Sequence, residues 1–444
     1  ESFVERQAQL KLSRYKLIKD ASYSQPHRTD LSFVWEDTKT DYKGAKTSIS
    51  AYIAGNELTS FDYSLHVPEK WERKFSTIRS YNNLLQSGAQ IFYQLLNFAA
   101  LFVFLWAVTT GNIRWKFAIA LGCAFGLMNM LDAVNDFATA VDDYSPSTSY
   151  QNYLIQFALS TLLSGFGLSL MGAGLFGGSE SLYRISYPCK VALENVWKAL
   201  SSRQLLRSLL VGHLAFAIDL GWVVFYYLIG EHFHFWCPLG VDNYEVLSSA
   251  FPFYSAVMLG VKASVFEELV FRIVGLSLAQ KLFKNFWLAN LFQAAAWGFM
   301  HSTYPQQPAY ARGIELTAAG LFSGYILRRY GIVACLVQHY LFDAFLDCKP
   351  LFVASDPTLK FSPLIAILPF AVLGIAGLVF ALKHRSFSPE GPFANSQLTT
   401  EKKTKSFVEP AQAEPFLYKP LSKKIRSALL IIAVLFIPVA VIAD

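Results

Sequence analysis

One stretch decides how this chain folds: residues 249–278 read SAFPFYSAVMLGVKASVFEELVFRIVGLSL. The stretch is long and apolar enough to cross a bilayer, which takes about 20 mostly apolar residues. Within it, Glu267, Glu268 and Arg272 fall inside less than two helical turns. Ionisable side chains at bilayer depth are costly and usually serve a function. The stretch therefore predicts a membrane helix that carries a polar site.

The whole chain has the composition of a membrane protein. Of its 444 residues, 53% are hydrophobic and 16% are charged, which is too apolar for an ordinary soluble protein. We predict an all-α polytopic membrane protein with about nine or ten transmembrane helices. Candidate spans lie near residues 88–110, 116–140, 152–177, 206–230, 249–278, 286–303, 312–328, 331–347, 362–383 and 427–443.

Charge and cysteine usage exclude several classes of protein. The formal net charge of +6 is scattered over loops and forms no basic stripe, so nucleic acid is not an expected partner. The five cysteines show no paired CxxC spacing, so neither a disulfide framework nor a zinc finger is indicated.

The N-terminal part differs from the rest. Residues 1–87 are more polar, and TSISAYIAGNELTSFDYSLHVP, residues 47–68, alternates around Gly55-Asn56 as a β-hairpin would. A helical pattern follows Pro68 and leads into the first candidate span. We predict a small α+β domain outside the membrane.

The loop charges predict the orientation in the membrane. Short loops rich in Lys and Arg favour the cytoplasmic side, and here such loops alternate with neutral or acidic ones. This alternation predicts an extracytoplasmic N-terminal domain. It also places residues 384–426 in the cytoplasm, and their Pro, Ser, Lys and Glu content is typical of a disordered linker.

Helical spacing distinguishes the two glutamates. Glu268 and Arg272 are four residues apart, hence on one face of a helix, where they can form an ion pair. Glu267 is rotated by about 100° and has no such partner. One carboxylate is then neutralised by its neighbour, and Glu267 is left as the candidate general base.

Later spans supply candidate partners for this base. His301 comes four residues after Trp297, and His339 comes four residues before Asp343, each pair in an apolar stretch. Counted from the cytoplasmic ends at about 1.5 Å per residue, Glu267 and His301 fall at similar depths and His339 somewhat shallower. We predict that the three helices converge on one site.

These motifs carry a family resemblance. EExxxR, then an aromatic followed by xxxH, then HxxxD on successive apolar stretches resembles the CAAX prenyl protease and bacteriocin-processing family of intramembrane proteases, over about residues 250–350. The residues that fill the pattern are Glu267, Glu268, Arg272, Trp297, His301, His339 and Asp343. The resemblance implies peptide hydrolysis without a covalent intermediate. In it, Glu267 and His301 activate water, while His339 and Asp343 stabilise the oxyanion or bind a metal.

Two departures from the family pattern bear on these roles. Trp297 stands where Phe is commoner, which we interpret as a conservative change of shape. Asp343 stands where many members have Asn, and an ionised Asp cannot donate a hydrogen bond to an oxyanion. Asp343 is therefore an oxyanion donor, an orienter of a histidine or a metal ligand.

Metal dependence is open at this stage. Zinc is possible, with His301, His339 and Glu267 as candidate ligands, because histidines and carboxylates bind zinc. The pairs lack HExxH spacing, however, and a metal-free mechanism uses the same residues. We favour the metal-free version, with no certain cofactor.

The predicted protein is an intramembrane endopeptidase. Its expected partners are a membrane-associated peptide or protein substrate and the lipid bilayer, and its expected location is a bacterial cytoplasmic membrane. The predicted organisation is an extracytoplasmic domain at 1–87, accessory transmembrane helices at 88–205, a catalytic helical bundle at 206–350, a transmembrane helix at 351–383, a linker at 384–426 and a C-terminal transmembrane helix at 427–444.

The alternative is a membrane transporter or scaffold without enzymatic activity. Its main support is the polar quartet, defined here as Asn129, Asp132, Asn135 and Asp136, which recurs at near-helical spacing in the second span. Three other polar features are interpreted as structural: Lys262 as a snorkelling side chain, His213 with Asp219 as helix packing, and His232, His234 and Cys237 as part of an aromatic interfacial loop.

Overall fold

The computed structural model describes residues 2–7, 11–145, 147–238 and 245–398. The described residues form two compact units. The first unit holds those of 1–80 and 144–156, and the second unit holds the others.

The first unit contains a four-stranded antiparallel sheet. After helix α1, Ser2–Gln7, the strands follow in chain order: β1 Tyr15–Ser24, β2 Thr29–Asp37, β3 Lys46–Ala54 and β4 Glu57–His66. Strands β3 and β4 are joined at Gly55 and Asn56, with Gly55 at a φ of 63°, a value that glycine adopts readily. The predicted N-terminal sheet and its hairpin are confirmed.

One face of this sheet forms a small core, and ion pairs stabilise its ends. Trp35 and Ile49 are almost completely buried against Val4 of α1. The guanidinium of Arg14 donates to Asp37 and holds the pKa of that carboxyl below its usual range. Ionised Asp37 therefore stabilises the fold at pH values above the ordinary pKa of an aspartate. This stabilisation is lost as the pH falls through the lowered pKa.

The second unit is helical. Its main helices are α2 Glu69–Thr109, α3 Trp115–Asn135, α4 Phe137–Asp142, α5 Tyr150–Ser186, α6 Arg203–Glu231, α7 Glu245–Ser248, α8 Pro252–Glu267, α9 Leu276–Phe283, α10 Phe286–Met300, α11 Ala311–Tyr330 and α12 Ile332–Asp347. Helix α2 belongs to this unit from residue 81 onward, and α5 belongs to it from residue 157 onward. Four further helices follow: α13 Lys349–Phe352, α14 Pro357–Phe361, α15 Pro363–Ile367 and α16 Pro369–Lys383.

The stretch quoted first is helical from Pro252 onward, and its hydrogen-bond pattern changes after Glu267. Between α8 and α9, residues Glu268–Gly275 form a π-helix. A π-helix carries i→i+5 hydrogen bonds, is rare, and is found frequently at functional sites. Every residue from Glu268 to Gly275 is buried, so the widened turns lie inside the helical packing.

The count of nine or ten spans is not confirmed. Among the described residues, four helices are long and apolar enough to cross a membrane, α2, α3, α5 and α6. A fifth candidate is the pair Pro357–Ile367 and α16, bent by 55°. Helices α10 and α12 have 15 and 16 residues, which gives about 22 and 24 Å, short of the roughly 30 Å of a bilayer core.

The end of the described chain packs against the helical unit. Asn395 is buried, and its side-chain amide donates to the carbonyl of Tyr187 at 2.8 Å. Residues Gly391–Phe393 and Asn395–Leu398 form 3-10 turns. Residues 384–398 therefore differ from the disordered linker predicted for them. The remainder of that linker and the predicted C-terminal helix at 427–444 lie outside the described residues.

Candidate active site

Three helices bring Glu267 and the two histidines to one place. Glu267 is the last residue of α8, His301 directly follows α10, and His339 lies within α12. The Nε2 atoms of His301 and His339 lie 3.9 and 3.8 Å from the same oxygen, Oε2 of Glu267. The side chains of all three are between 12% and 19% exposed, so they are shielded but reachable.

Trp297 contributes a hydrogen bond as well as a ring. Its indole Nε1–H donates to Oε2 of Glu267. The guanidinium of Arg272 lies over the indole ring, with its Cζ 4.0 Å from the ring centroid, in a cation–π arrangement. The interpretation of Trp297 as a change of shape alone is incomplete, because phenylalanine could not donate this bond.

Glu268 lies deeper than Glu267 and has different partners. Its Oε2 lies 3.4 Å from Nε of Arg272, and the two side chains are 1% and 0% exposed. The structure thus contains the ion pair that the spacing predicts. The other oxygen, Oε1, is 2.9 Å from Nδ1 of His339. Glu268 therefore joins the arginine of its own helix to the histidine of α12, a link that spacing did not indicate.

The two histidines are oriented by fixed neighbours. Nδ1 of His301 lies 2.9 Å from the carbonyl oxygen of Trp297, and because a carbonyl only accepts, this nitrogen carries the proton. Nε2 of His301 then faces Glu267. In His339, Nδ1 faces Glu268, and Nε2 lies 3.3 Å from Oδ2 of Asp343. Asp343 is thus placed to orient His339.

These groups line a polar cavity of about 210 Å³ that meets a larger apolar one. The apolar cavity, of about 790 Å³, lies between α2, α5, α8 and α10. Leu259, Ala263 and Glu267 line both cavities. Glu267 therefore stands where an apolar space and a polar space join.

Several polar residues of the cavity were missed in the sequence. Asp219 accepts a hydrogen bond from Gln338 at 2.5 Å, and both side chains line the polar cavity. Arg312 pairs there with Glu315. The rule that singled out Glu267, an ionisable group inside an apolar stretch, applies equally to Arg312 and Glu315. Asp219 was interpreted as helix packing, and its bond to Gln338 of α12 agrees with that, but Asp219 also lines the cavity.

The structure does not single out a zinc site. In the part of the chain that the structure describes, no three or more His, Cys, Asp or Glu side chains are grouped so as to hold a metal ion. The Nδ1 atoms of His301 and His339 face the carbonyl of Trp297 and the carboxylate of Glu268, and the Nε2 atoms of both rings lie toward Glu267. Zinc binding by His301, His339 and Glu267 therefore stays a prediction from the sequence.

The polar quartet makes contacts between helices: Asn129 donates to Ser164 of α5, and the other three members contact α8. Asp132 forms an ion pair with Lys262 at 2.7 Å, so Lys262 is paired and does not simply extend toward the membrane surface. The side-chain amide of Asn135 donates to Oγ of Ser255 at 2.9 Å, and its oxygen accepts from the backbone N–H of Phe251 at 2.7 Å. These contacts account for the quartet by packing and remove the main support for the transporter alternative.

Comparison with known proteins identifies the segment that holds the site. Residues 249–345 match the family described as type II CAAX prenyl endopeptidase Rce1-like. This Rce1-like segment contains all seven motif residues, so the resemblance drawn from the motifs is confirmed. It also contains Arg312 and Glu315, whereas Asp219 lies outside it.

A curated relative agrees with this match. The chain is 24% identical over 111 residues to the sporulation-killing factor biosynthesis protein SkfC of Bacillus subtilis (strain 168). The similarity covers 25% of this chain and 22% of the relative, so the chain spans about a fifth of that protein's length. No solved structure gives a significant match. Together with the apolar helices, these findings support an integral membrane protein with a segment of a CAAX-type protease family.

Proposed function

We propose that the protein is an intramembrane endopeptidase that hydrolyses a peptide bond of a membrane-associated protein or peptide. The observation that carries the proposal is the convergence of Glu267, His301 and His339 on one cavity. The three residues come from three separate helices within the Rce1-like segment. Packing of apolar helices alone does not explain why three ionisable side chains lie together. Hydrolysis uses such a cluster as the groups that move protons.

Glu267 and His301 activate the water molecule that attacks the peptide bond. A water molecule between Glu267 Oε2 and His301 Nε2, which are 3.9 Å apart, is within reach of both. Glu267 takes one proton of this water as the oxygen forms a bond to the scissile carbonyl carbon. The same carboxyl then returns the proton to the leaving nitrogen as the C–N bond breaks. The immediate products are a carboxylic acid and an amine, and Glu267 is again ionised. The acid then gives its proton to the amine, which leaves a carboxylate and an ammonium group.

His339 stabilises the oxyanion that forms on the scissile carbonyl. Both nitrogens of this ring face carboxylates, Glu268 at 2.9 Å and Asp343 at 3.3 Å. The two carboxylates favour the form of His339 that carries protons on both nitrogens. The Nε2–H of this form can donate a hydrogen bond to the oxyanion. Asp343 acts in this scheme by orienting His339, since an ionised Asp cannot itself donate.

The apolar cavity offers a substrate a route from the membrane. It is lined by side chains of α2, α5, α8 and α10 and ends at Glu267, where the polar cavity begins. An apolar segment of a substrate can therefore occupy the larger space while its peptide bond reaches the carboxylate. The extracytoplasmic position of the N-terminal sheet and a bacterial cytoplasmic membrane remain predictions from loop charge and family resemblance.

The proposal is tested by the accumulation of uncut substrate. The membrane proteome of a strain that lacks the protein is compared with that of a strain that carries Glu267→Gln. The expected result is one or more membrane proteins or peptides that accumulate uncut in both strains and are cut again when the wild-type protein is restored. If the two strains share no accumulated species, the endopeptidase assignment is wrong.

A second test concerns the indole of Trp297. In Trp297→Phe, the ring that stacks on Arg272 remains but the donor to Glu267 is lost. Because a hydrogen bond to a charged group contributes about 1.5–3 kcal/mol, turnover of the accumulated substrate should fall about ten- to hundredfold. The matched control is Trp287→Phe on the same helix, where the ring is largely exposed. Equal rates for the two variants would show that the hydrogen bond is unimportant.

A further inference from the structure

A separate cavity lies between helices α6 and α16. It has a volume of about 400 Å³ and shares no lining residue with the active-site cavity. Two arginines, Arg203 and Arg207, line it in the first two turns of α6. The other walls are mainly apolar: Leu206, Leu209, Leu210, Phe370, Ala371, Gly374, Ile375, Leu378 and Phe387, with His213.

The two arginines lack the acidic partners that other cavity-lining arginines have. Arginines in the other cavities form ion pairs with carboxylates: Arg114 with Glu194, Arg184 with Glu180, Arg272 with Glu268 and Arg312 with Glu315. No Asp or Glu lines the cavity of Arg203 and Arg207, and among the described residues neither forms an ion pair. The guanidinium of Arg203 instead lies 5.0 Å from the ring centroid of Phe387. Two positive charges are therefore left for a ligand.

A polar atom farther along the groove also lacks a partner. Nδ1 of His213 lies 2.8 Å from the carbonyl oxygen of Leu209. Nε2 of His213 is shielded from solvent and has no hydrogen-bond partner among the described residues. His213 is six residues beyond Arg207, about 9 Å along the helix. The groove thus combines a positive end, apolar walls and an unsatisfied nitrogen.

We propose that this groove binds an anionic phospholipid. The lipid phosphate lies at Arg203 and Arg207, because guanidinium groups match phosphate oxygens in charge and geometry. An acyl chain lies along the apolar walls, where Leu210 and Ile375 are 60% and 62% exposed in the absence of lipid. Basic pockets between membrane helices bind the headgroups of anionic lipids in this way.

Charge argues against the chain's own C-terminal segment as the occupant. The apolar stretch at 427–443 is preceded by Lys423, Lys424 and Arg426, which carry the same sign of charge as the two arginines of the groove. Like charges brought together in a partly apolar site are unfavourable. A phosphate diester carries the opposite sign and brings acyl chains with it.

The test measures lipid retained by the purified full-length protein. The protein is exchanged into nanodiscs of phosphatidylcholine and phosphatidylglycerol in equal amounts, and bound lipid is determined by native mass spectrometry. Wild-type protein should retain phosphatidylglycerol in preference to phosphatidylcholine. The double variant Arg203→Gln with Arg207→Gln should bind phosphatidylglycerol at least about tenfold more weakly, since two charge-assisted contacts are removed.

Two further variants separate this site from general charge effects. The control is Arg328→Gln with Arg329→Gln at the end of α11, two exposed arginines that line none of the cavities described above, and it should retain the lipid. Gly374→Leu should weaken binding while both arginines remain. A Cβ at Gly374 has only Leu209 Cδ1 near it, at 3.9 Å, so the new side chain enters the groove.

Three outcomes would overturn the proposal. Equal retention of the two lipids would exclude selection of an anionic headgroup. Equal loss in the control variant would indicate a general effect of net charge. Displacement of the lipid by inorganic phosphate, together with normal binding in Gly374→Leu, would indicate a phosphate site that does not use the apolar walls.

Discussion

Replacing Glu267 with glutamine is expected to abolish peptide hydrolysis and leave the protein folded. Glutamine keeps the shape of the side chain and an oxygen that can accept the bond from Trp297, but it cannot take a proton from water. Loss of a general base typically costs 10²–10⁴-fold in rate. The measurement is the rate of cleavage of the accumulated substrate by purified protein, with thermal unfolding followed in parallel.

Two other variants delimit this prediction. His301→Ala should lose rate more than stability, because His301 is partly exposed and faces the proposed water. Glu231→Gln, at the exposed end of α6, removes one carboxylate far from the motif residues in the chain and should leave the rate unchanged. Near-full proteolysis by Glu267→Gln would show that Glu267 is a packing residue and would remove the basis of the mechanism.

The buried pair of Glu268 and Arg272 should give the largest effect on stability. Removing either partner leaves the other charge unpaired in a site where both side chains are almost completely buried. Such a loss is strongly destabilising, about 3–5 kcal/mol. Glu268→Gln and Arg272→Gln should therefore lower the folded yield and the free energy of unfolding. The double variant should be milder than the sum, because it leaves no lone charge.

The contact of Glu268 with His339 adds a second expectation. Because Glu268 Oε1 faces Nδ1 of His339, Glu268→Gln should lower the activity of the fraction that still folds. Arg272→Gln should also disturb Trp297, because the guanidinium of Arg272 covers the indole ring. The free energy of unfolding and the rate per folded molecule are measured separately for each variant. If Glu267→Gln and Glu268→Gln prove equally destabilising, the division of roles between the two glutamates is wrong.

The pattern of residue types was enough to predict a helical membrane protein and to place the residues of the candidate site close together. Apolar runs predicted a helical membrane protein, and alternation around Gly55-Asn56 predicted the hairpin. The spacing of Glu268 and Arg272 predicted their ion pair. These features depend on periodicity along the chain, which the sequence records directly.

Helix lengths were harder to predict. The stretches at 286–303 and 331–347 are apolar, yet α10 and α12 are shorter than a bilayer core, and the count of nine or ten spans is not confirmed. Hydropathy reports which residues avoid water, but burial within the protein and exposure to lipid give the same signal. The sequence alone cannot distinguish a helix that crosses the bilayer from a shorter one packed between others.

What the sequence determined by itself is the set of chemical groups and the helices that carry them. The tertiary structure decided which of these groups meet. The bond from Trp297 to Glu267 and the contact of Glu268 with His339 depend on how α8, α10 and α12 pack together. These contacts join residues 30 and 71 positions apart in the chain. Distances of that kind follow from side-chain packing between helices, and local periodicity carries no information about them.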